Sequence, residues 1–154
     1  MSLDADIALL GTLPFFEVFD EEHLRLLAFS AELRSLPAGT VLHEAGQPLH
    51  STYVITNGLV TASRGEESRS LGPGDLIGER ALIVEVKAME TIRVVERAQV
   101  LQIRRAVFRR FLDEYPKMAV AIRARIASRV VQTAMDYDRI GQRIGAIQAL
   151  GPDT

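Results

Sequence analysis

Cysteine is absent from the chain. Its absence removes disulfides, thiol nucleophiles, cysteine-held zinc and iron-sulfur clusters together, and leaves the redox compartment open. Long apolar runs are missing as well: no stretch approaches the roughly 18 residues that a membrane-spanning helix needs. The opening "MSLDADIALLGTLPFF" has no basic segment and no small-residue cleavage site, so a signal peptide is not expected and cytoplasmic residence is the default. Histidine is scarce. His23, His43 and His50 are the only ones, and none lies at H-x-H or H-x-x-x-H spacing from another, which excludes the usual histidine-held metal enzymes. No serine sits in a glycine-flanked nucleophile elbow, so acyl-transfer catalysis has no anchor either. We expect no catalytic residues, no metal ligands and no enzyme. Excess charge of one sign is also lacking: a net charge of -2 and a pI near 5.9 argue against a domain dressed throughout for nucleic acid.

What is present is the composition of an ordinary globular protein, with 47% hydrophobic and 25% charged residues over 154 positions. One domain is the prior for such a length. In "FDEEHLRLLAFSAEL" the spacing of Leu24, Leu27 and Phe29 is helical, and Asp20 is placed to cap the helix ahead of Glu21 and Glu22. A helical start is therefore expected over residues 1–33. From 34 to 103 the texture becomes short β-rich stretches, "TVLH", "STYVIT", "LVTASR", "SRSL", "TIRVV" and "AQVLQI", separated by glycine-bearing linkers that read as hairpins. The composition from Gly78 to Glu85 suits one short helix within this region.

Helical periodicity returns over 105–148, first in "AVFRRFLDEY" and then beyond Pro116, a residue suited to a helix's first turn. Ile126, Val130, Thr133, Tyr137, Ile140, Ile144 and Ile147 follow one another at alternating steps of four and three. Such a heptad seam predicts a long helix paired with another, most simply in a homodimer; the same stripe would also serve to pack on the chain's own sheet. Gly141 and Gly145 each weaken that helix by roughly 1 kcal/mol relative to alanine. The arginines of "IRRAVFRRFL" and "RARIASR" read as solvated helix faces.

Taken together, the helical start, the glycine-marked "PAGTVLHEAGQPLHSTYVITNGLVTAS", the "LGPGDLIGERAL" stretch and the closing helix resemble the cyclic nucleotide-binding domain of Crp/Fnr-like regulators, protein kinase A regulatory subunits and gated channels. The resemblance covers about residues 8 to 140 and rests on Gly39, Gly46, Tyr53, Gly58, Gly78 and Glu79 in their order. It implies an α+β fold: an antiparallel β-roll, a double-stranded β-helix or jelly roll, flanked by N-terminal helices and a long C-terminal helix. It also implies that Ile77, Gly78, Glu79, Arg80 and Ala81 form a cassette for the ribose phosphate of cAMP or cGMP, with Glu79 accepting from a ribose hydroxyl. On the residues alone, Glu79 is equally well a first-turn carboxylate facing the helix dipole. No helix-turn-helix module follows the closing helix, so sequence-specific DNA binding is not expected.

The family's cassette continues into Pro-Arg-Ser/Thr-Ala, and in this register Lys87, Ala88, Met89 and Glu90 occupy that run. Ala88 thus stands where the resemblance requires the arginine that grips the cyclic phosphate. Losing such a paired guanidinium typically costs about 2 to 5 kcal/mol, or roughly 30-fold to several thousand-fold in affinity. Arg80 or Lys87 are the substitutes to consider, but neighbouring residues on a strand face opposite sides, so only one of Lys87 and Ala88 can point inward. Thr133 falls where the bacterial activators place a threonine against the base, followed here by Ala134; the plain alternative is a hydroxyl bonded back to the helix.

Three functions are consistent with this pattern. The first is a regulatory domain with weakened or altered ligand binding, coupled to an unidentified protein partner or a second subunit. The second is a genuine cyclic nucleotide receptor using Arg80 or Lys87. The third is a ligand-free interaction module plugged by Met89.

Overall fold

A computed structural model describes residues 3–125 and 127. The contacts divide the chain into two units, Met1–Tyr115 and Pro116–Thr154. The first unit opens with α1 (Leu3–Gly11), a 3₁₀ turn (Pro14–Phe16) and α2 (Glu21–Ser30). Asp20 caps α2 by accepting the His23 amide at 2.8 Å, the role its position ahead of two glutamates suggests.

The helical start ends earlier than its composition implies. Ala31 is extended, and Glu32–Leu36 forms β1, paired from Glu32 opposite Gln102 to Leu36 opposite Ala98. Segment Ala31-Glu32-Leu33 has helix-forming residues, but the free edge of another strand offers it five paired positions, and tertiary pairing overrides the local preference.

The roll comprises β1, β2 (Val41–His43), β3 (Pro48–Leu49), β4 (Ser51–Arg64), β5 (Glu67–Leu71), β6 (Leu76–Ile77), β7 (Val86–Lys87) and β8 (Thr91–Arg104). All pairings are antiparallel; the larger sheet runs β1-β8-β4-β5 with β2 on β8 and β6 on β4, and β3 pairs with β7 separately. The expected architecture, an antiparallel β-roll with flanking helices, is present.

Two expected breaks are absent. "STYVIT" and "LVTASR" are one strand, β4, and "TIRVV" and "AQVLQI" are likewise one strand, β8. Asn57-Gly58 carries a hairpin signature, yet here it is an irregularity inside β4, with the register against β8 shifting on either side. Gly58 has φ +95°, and a Cβ there would stand 2.4 Å from the Arg97 carbonyl oxygen. The glycine thus serves a close crossing of two bent strands rather than a chain reversal.

Alternation along these strands divides the side chains into two layers. Ile55, Val60, Ala62, Leu71, Ile77, Ile92, Val94, Ala98 and Val100 fill the roll. Beside the helices, Phe15, Phe16, Phe19, Phe108 and Phe111 form a continuous aromatic cluster, with ring centroids 5.0 to 6.3 Å apart. Phe108 and Phe111 belong to α3 (Arg105–Glu114), which follows β8 directly. In the second unit, residues 116–125 are helical and begin with Pro116, as a proline at a helix start allows. The seam residues Ile126, Val130, Thr133, Tyr137, Ile140, Ile144 and Ile147 lie outside the described residues. No described helix is long and apolar enough to cross a membrane.

Candidate ligand-binding site

The cassette is a tight excursion between β6 and β7. Ile77 is buried in the roll and pairs with Tyr53, which fixes where the chain leaves the sheet. Gly78 follows in the left-handed region at φ 75° and ψ 40°, and its carbonyl accepts the Thr52 hydroxyl at 2.6 Å and the Ala81 amide at 2.9 Å. An L side chain here would be strained and would also press on Leu49 Cδ1 at 3.3 Å. The short helix expected after Gly78 is a single 3₁₀ turn, Glu79–Leu82. Its Ala81 and Leu82 are fully buried, Glu79 is half-buried and Arg80 is exposed.

Arg105, which sequence reasoning did not single out, holds the excursion in place. From the first position of α3 its Nη1 lies 3.2 Å from the Leu49 carbonyl, 3.4 Å from that of Ala81 and 3.0 Å from that of Val84. Its Nη2 is 3.7 Å from Glu85, and the side chain is only 11% exposed. One guanidinium therefore ties β3, the 3₁₀ turn and the loop after it to α3. Glu85 is thereby engaged by Arg105. Carbonyl ligation leaves no pattern in a sequence, which is why the residue was not found there.

At and just past the end of β7 the inward residue is settled. Ala88 points inward, 5% exposed, against Leu49 and Ala81, while Lys87 and Met89 are exposed. Its backbone is tied to the preceding turn by bonds of 2.7 Å, with Gly46 N–H donating to the Ala88 carbonyl and Ala88 N–H to that of Gln47. Met89 is 66% exposed and so does not plug the roll, contrary to the expectation for the ligand-free module.

Glu90 follows in the bend before β8. It meets Arg69 of β5 through two contacts, Nη2 to Oε1 at 2.8 Å and Nε to Oε2 at 3.3 Å. The Arg69 hydrogen bonds hold the Glu90 carboxyl below its ordinary value. Arg69 is the cross-strand partner of the buried Ala62, itself opposite Ile92, so it belongs to the inward row of β5. His43 of β2, opposite Ile92, is 8% exposed, and neither ring nitrogen makes a hydrogen bond. Burial pushes its imidazole below the ordinary histidine value, an effect opposed by the backbone and carboxylate of Glu90 nearby. The mouth of the roll thus carries a charged pair and a buried imidazole beside the small apolar slot of Ala88. No group of three or more acidic or histidine side chains suited to a metal occurs among the described residues.

The model of the cyclic nucleotide-binding domain matches residues 33–115. The chain is similar to the solved structure of a cyclic nucleotide-binding-like protein from Brucella abortus, at 40% identity and TM-score 0.65, covering 70% of this chain and 97% of that one. It is similar also to the N-terminal domain of a transcriptional regulator from Streptomyces coelicolor, at 26% identity and TM-score 0.77, covering 84% and 94%. Among curated proteins, lysophospholipase NTE1 of Pyricularia oryzae is 23% identical over 79% of this chain but only 8% of its own length. The chain spans less than half the length of the curated relatives it matches.

Proposed function

The chain belongs to the cyclic nucleotide-binding domain family and is a regulatory domain of the Crp/Fnr type, and from that premise we propose that its pocket has exchanged the usual phosphate anchor for apolar packing. The observation that carries this reading is the inward, buried Ala88 against Leu49 and Ala81. A cyclic phosphate entering there would lose its water and meet methyl groups instead of a guanidinium fork. Cyclic AMP and cyclic GMP therefore bind weakly, and the domain responds to another ligand or acts through a protein partner or a second subunit. Gly78 keeps a left-handed turn ahead of Glu79, as a ribose-phosphate cradle in this reading requires, while Lys87 and Arg80 are both exposed.

The domain is non-enzymatic in this reading, since the relative that is a lysophospholipase matches over a small fraction of its length. Its output passes through movement of the cassette, which Arg105 links to α3 through the Leu49, Ala81 and Val84 carbonyls. Thermal unfolding with excess cyclic nucleotide tests the proposal, because a ligand at about 100 times its Kd stabilises by roughly 2.7 kcal/mol. Millimolar cyclic AMP or cyclic GMP is expected to leave the wild-type midpoint within about a degree of the unliganded one. A rise of several degrees that disappears in Arg80→Ala or Lys87→Ala would assign the phosphate to that cation and overturn the reading.

A further inference from the structure

β5 carries an arginine, Arg69, on the same face as the buried Ala62. Arg69 lies opposite Ala62, whose other neighbour is Ile92; Glu90 stands two residues before Ile92, and Ala88 two before Glu90, in the bend that joins β7 to β8. The Arg69 guanidinium grips Glu90 through both Nε and Nη2, two residues along the chain from the Ala88 position that the missing arginine would serve. Glu90 presents two oxygens to that fork as a carboxylate or phosphate ligand would. Arg64, two residues from Ala62 along β4, also favours the ionised Glu90 and adds a second positive charge to the same end. His43 adds a buried imidazole in register with Ile92, close enough to Glu90 to feel its backbone and carboxylate.

We propose that Arg69 is the anion contact of this pocket and that Glu90 occupies it as an internal competitor, to be displaced by a small anion bearing a phosphate or carboxylate group. The proposal rests on the reading that Ala88 leaves the pocket without its usual anchor. It differs in naming the cation, which is neither Arg80 nor Lys87. The competing carboxylate explains how an inward arginine at the mouth can coexist with weak binding of ordinary ligands. An anion has to exchange for Glu90 before it gains the fork. The pair is substantially solvated, with side-chain exposures of 61% for Arg69 and 29% for Glu90, so breaking it costs little stability and exchange is feasible.

Calorimetric titrations with inorganic phosphate, succinate and cyclic AMP test this on wild type, Glu90→Gln, Arg69→Gln and the double variant. Glu90→Gln is expected to bind phosphate or succinate about tenfold more tightly than wild type, and the double variant to lose that gain. Preference for phosphate over succinate, or the reverse, identifies the ligand class. Because each substitution affects a solvated pair, all variants should unfold within a few degrees of wild type, and heteronuclear NMR spectra of each provide the check on folding. Equal affinity in wild type and Glu90→Gln, or a gain that survives Arg69→Gln, would overturn the proposal, as would failure of folded Glu90→Gln to bind any of the three probes. Micromolar cyclic AMP binding by wild type would refute the weak-binding reading, but if it vanished in Arg69→Gln the assignment of Arg69 would stand.

Discussion

Ala88, Met89 and Glu90 show how far individual residues can be understood from their order alone. That an arginine was missing could be seen in the sequence, and alternation required that only one of Lys87 and Ala88 point inward; the structure makes it Ala88. The fate of Met89 and the partner of Glu90 were not legible. Met89 faces solvent from the bend between β7 and β8, and Glu90 finds an arginine 21 positions earlier in the chain. His43 carries the clearest consequence at this scale. Its folded pKa is depressed by burial, so the stability linked to its neutral form is present in full above pH 6.5 and is lost as the pH falls through the folded value. Wild type should therefore lose unfolding free energy between about pH 7 and pH 5, and His43→Leu should lose less over the same interval. Chemical denaturation at the two pH values checks this; equal losses in the two proteins would show that His43 is not a source of the acid sensitivity.

Elements were legible where the local signal agreed with the tertiary one. Asp20 capping α2 and the two-residue turn Gly65-Glu66 between β4 and β5 are of this kind. Failures came where distant pairing decided the outcome: β1 replaced the last part of an expected helix, and β4 and β8 continued through the glycine and charged residues that should have ended them. The 3₁₀ turn of the cassette belongs to the second group, since its position depends on the Arg105 side chain reaching three carbonyl groups. Replacing Arg105 with methionine would keep part of the packing and remove those donors. Amide exchange over residues 79–85 is then expected to accelerate by about tenfold or more, in line with loss of charge-assisted hydrogen bonds, with little change in the core of β4. Unchanged protection in the cassette would mean that burial of Ala81 and Leu82 suffices to hold it.

At the scale of the whole molecule, the family could be read from the succession of helices, glycine-marked strands and cassette, because that order reflects the demands of a closed roll more than any one residue. The homodimer remains a proposal of the heptad pattern from Ile126 to Ile147. It predicts a dimer mass in sedimentation at tens of micromolar protein, and a purely monomeric mass would contradict it. Function at this scale depends on whether the roll retains its family's ligand. The most direct test is calorimetry with cyclic AMP on wild type and on Ala88→Arg/Met89→Ser, which returns both the guanidinium and the hydroxyl to the cassette. No micromolar binding by wild type is expected, and a gain of about 30-fold or more in the double variant; micromolar binding by wild type would contradict the loss of the phosphate anchor.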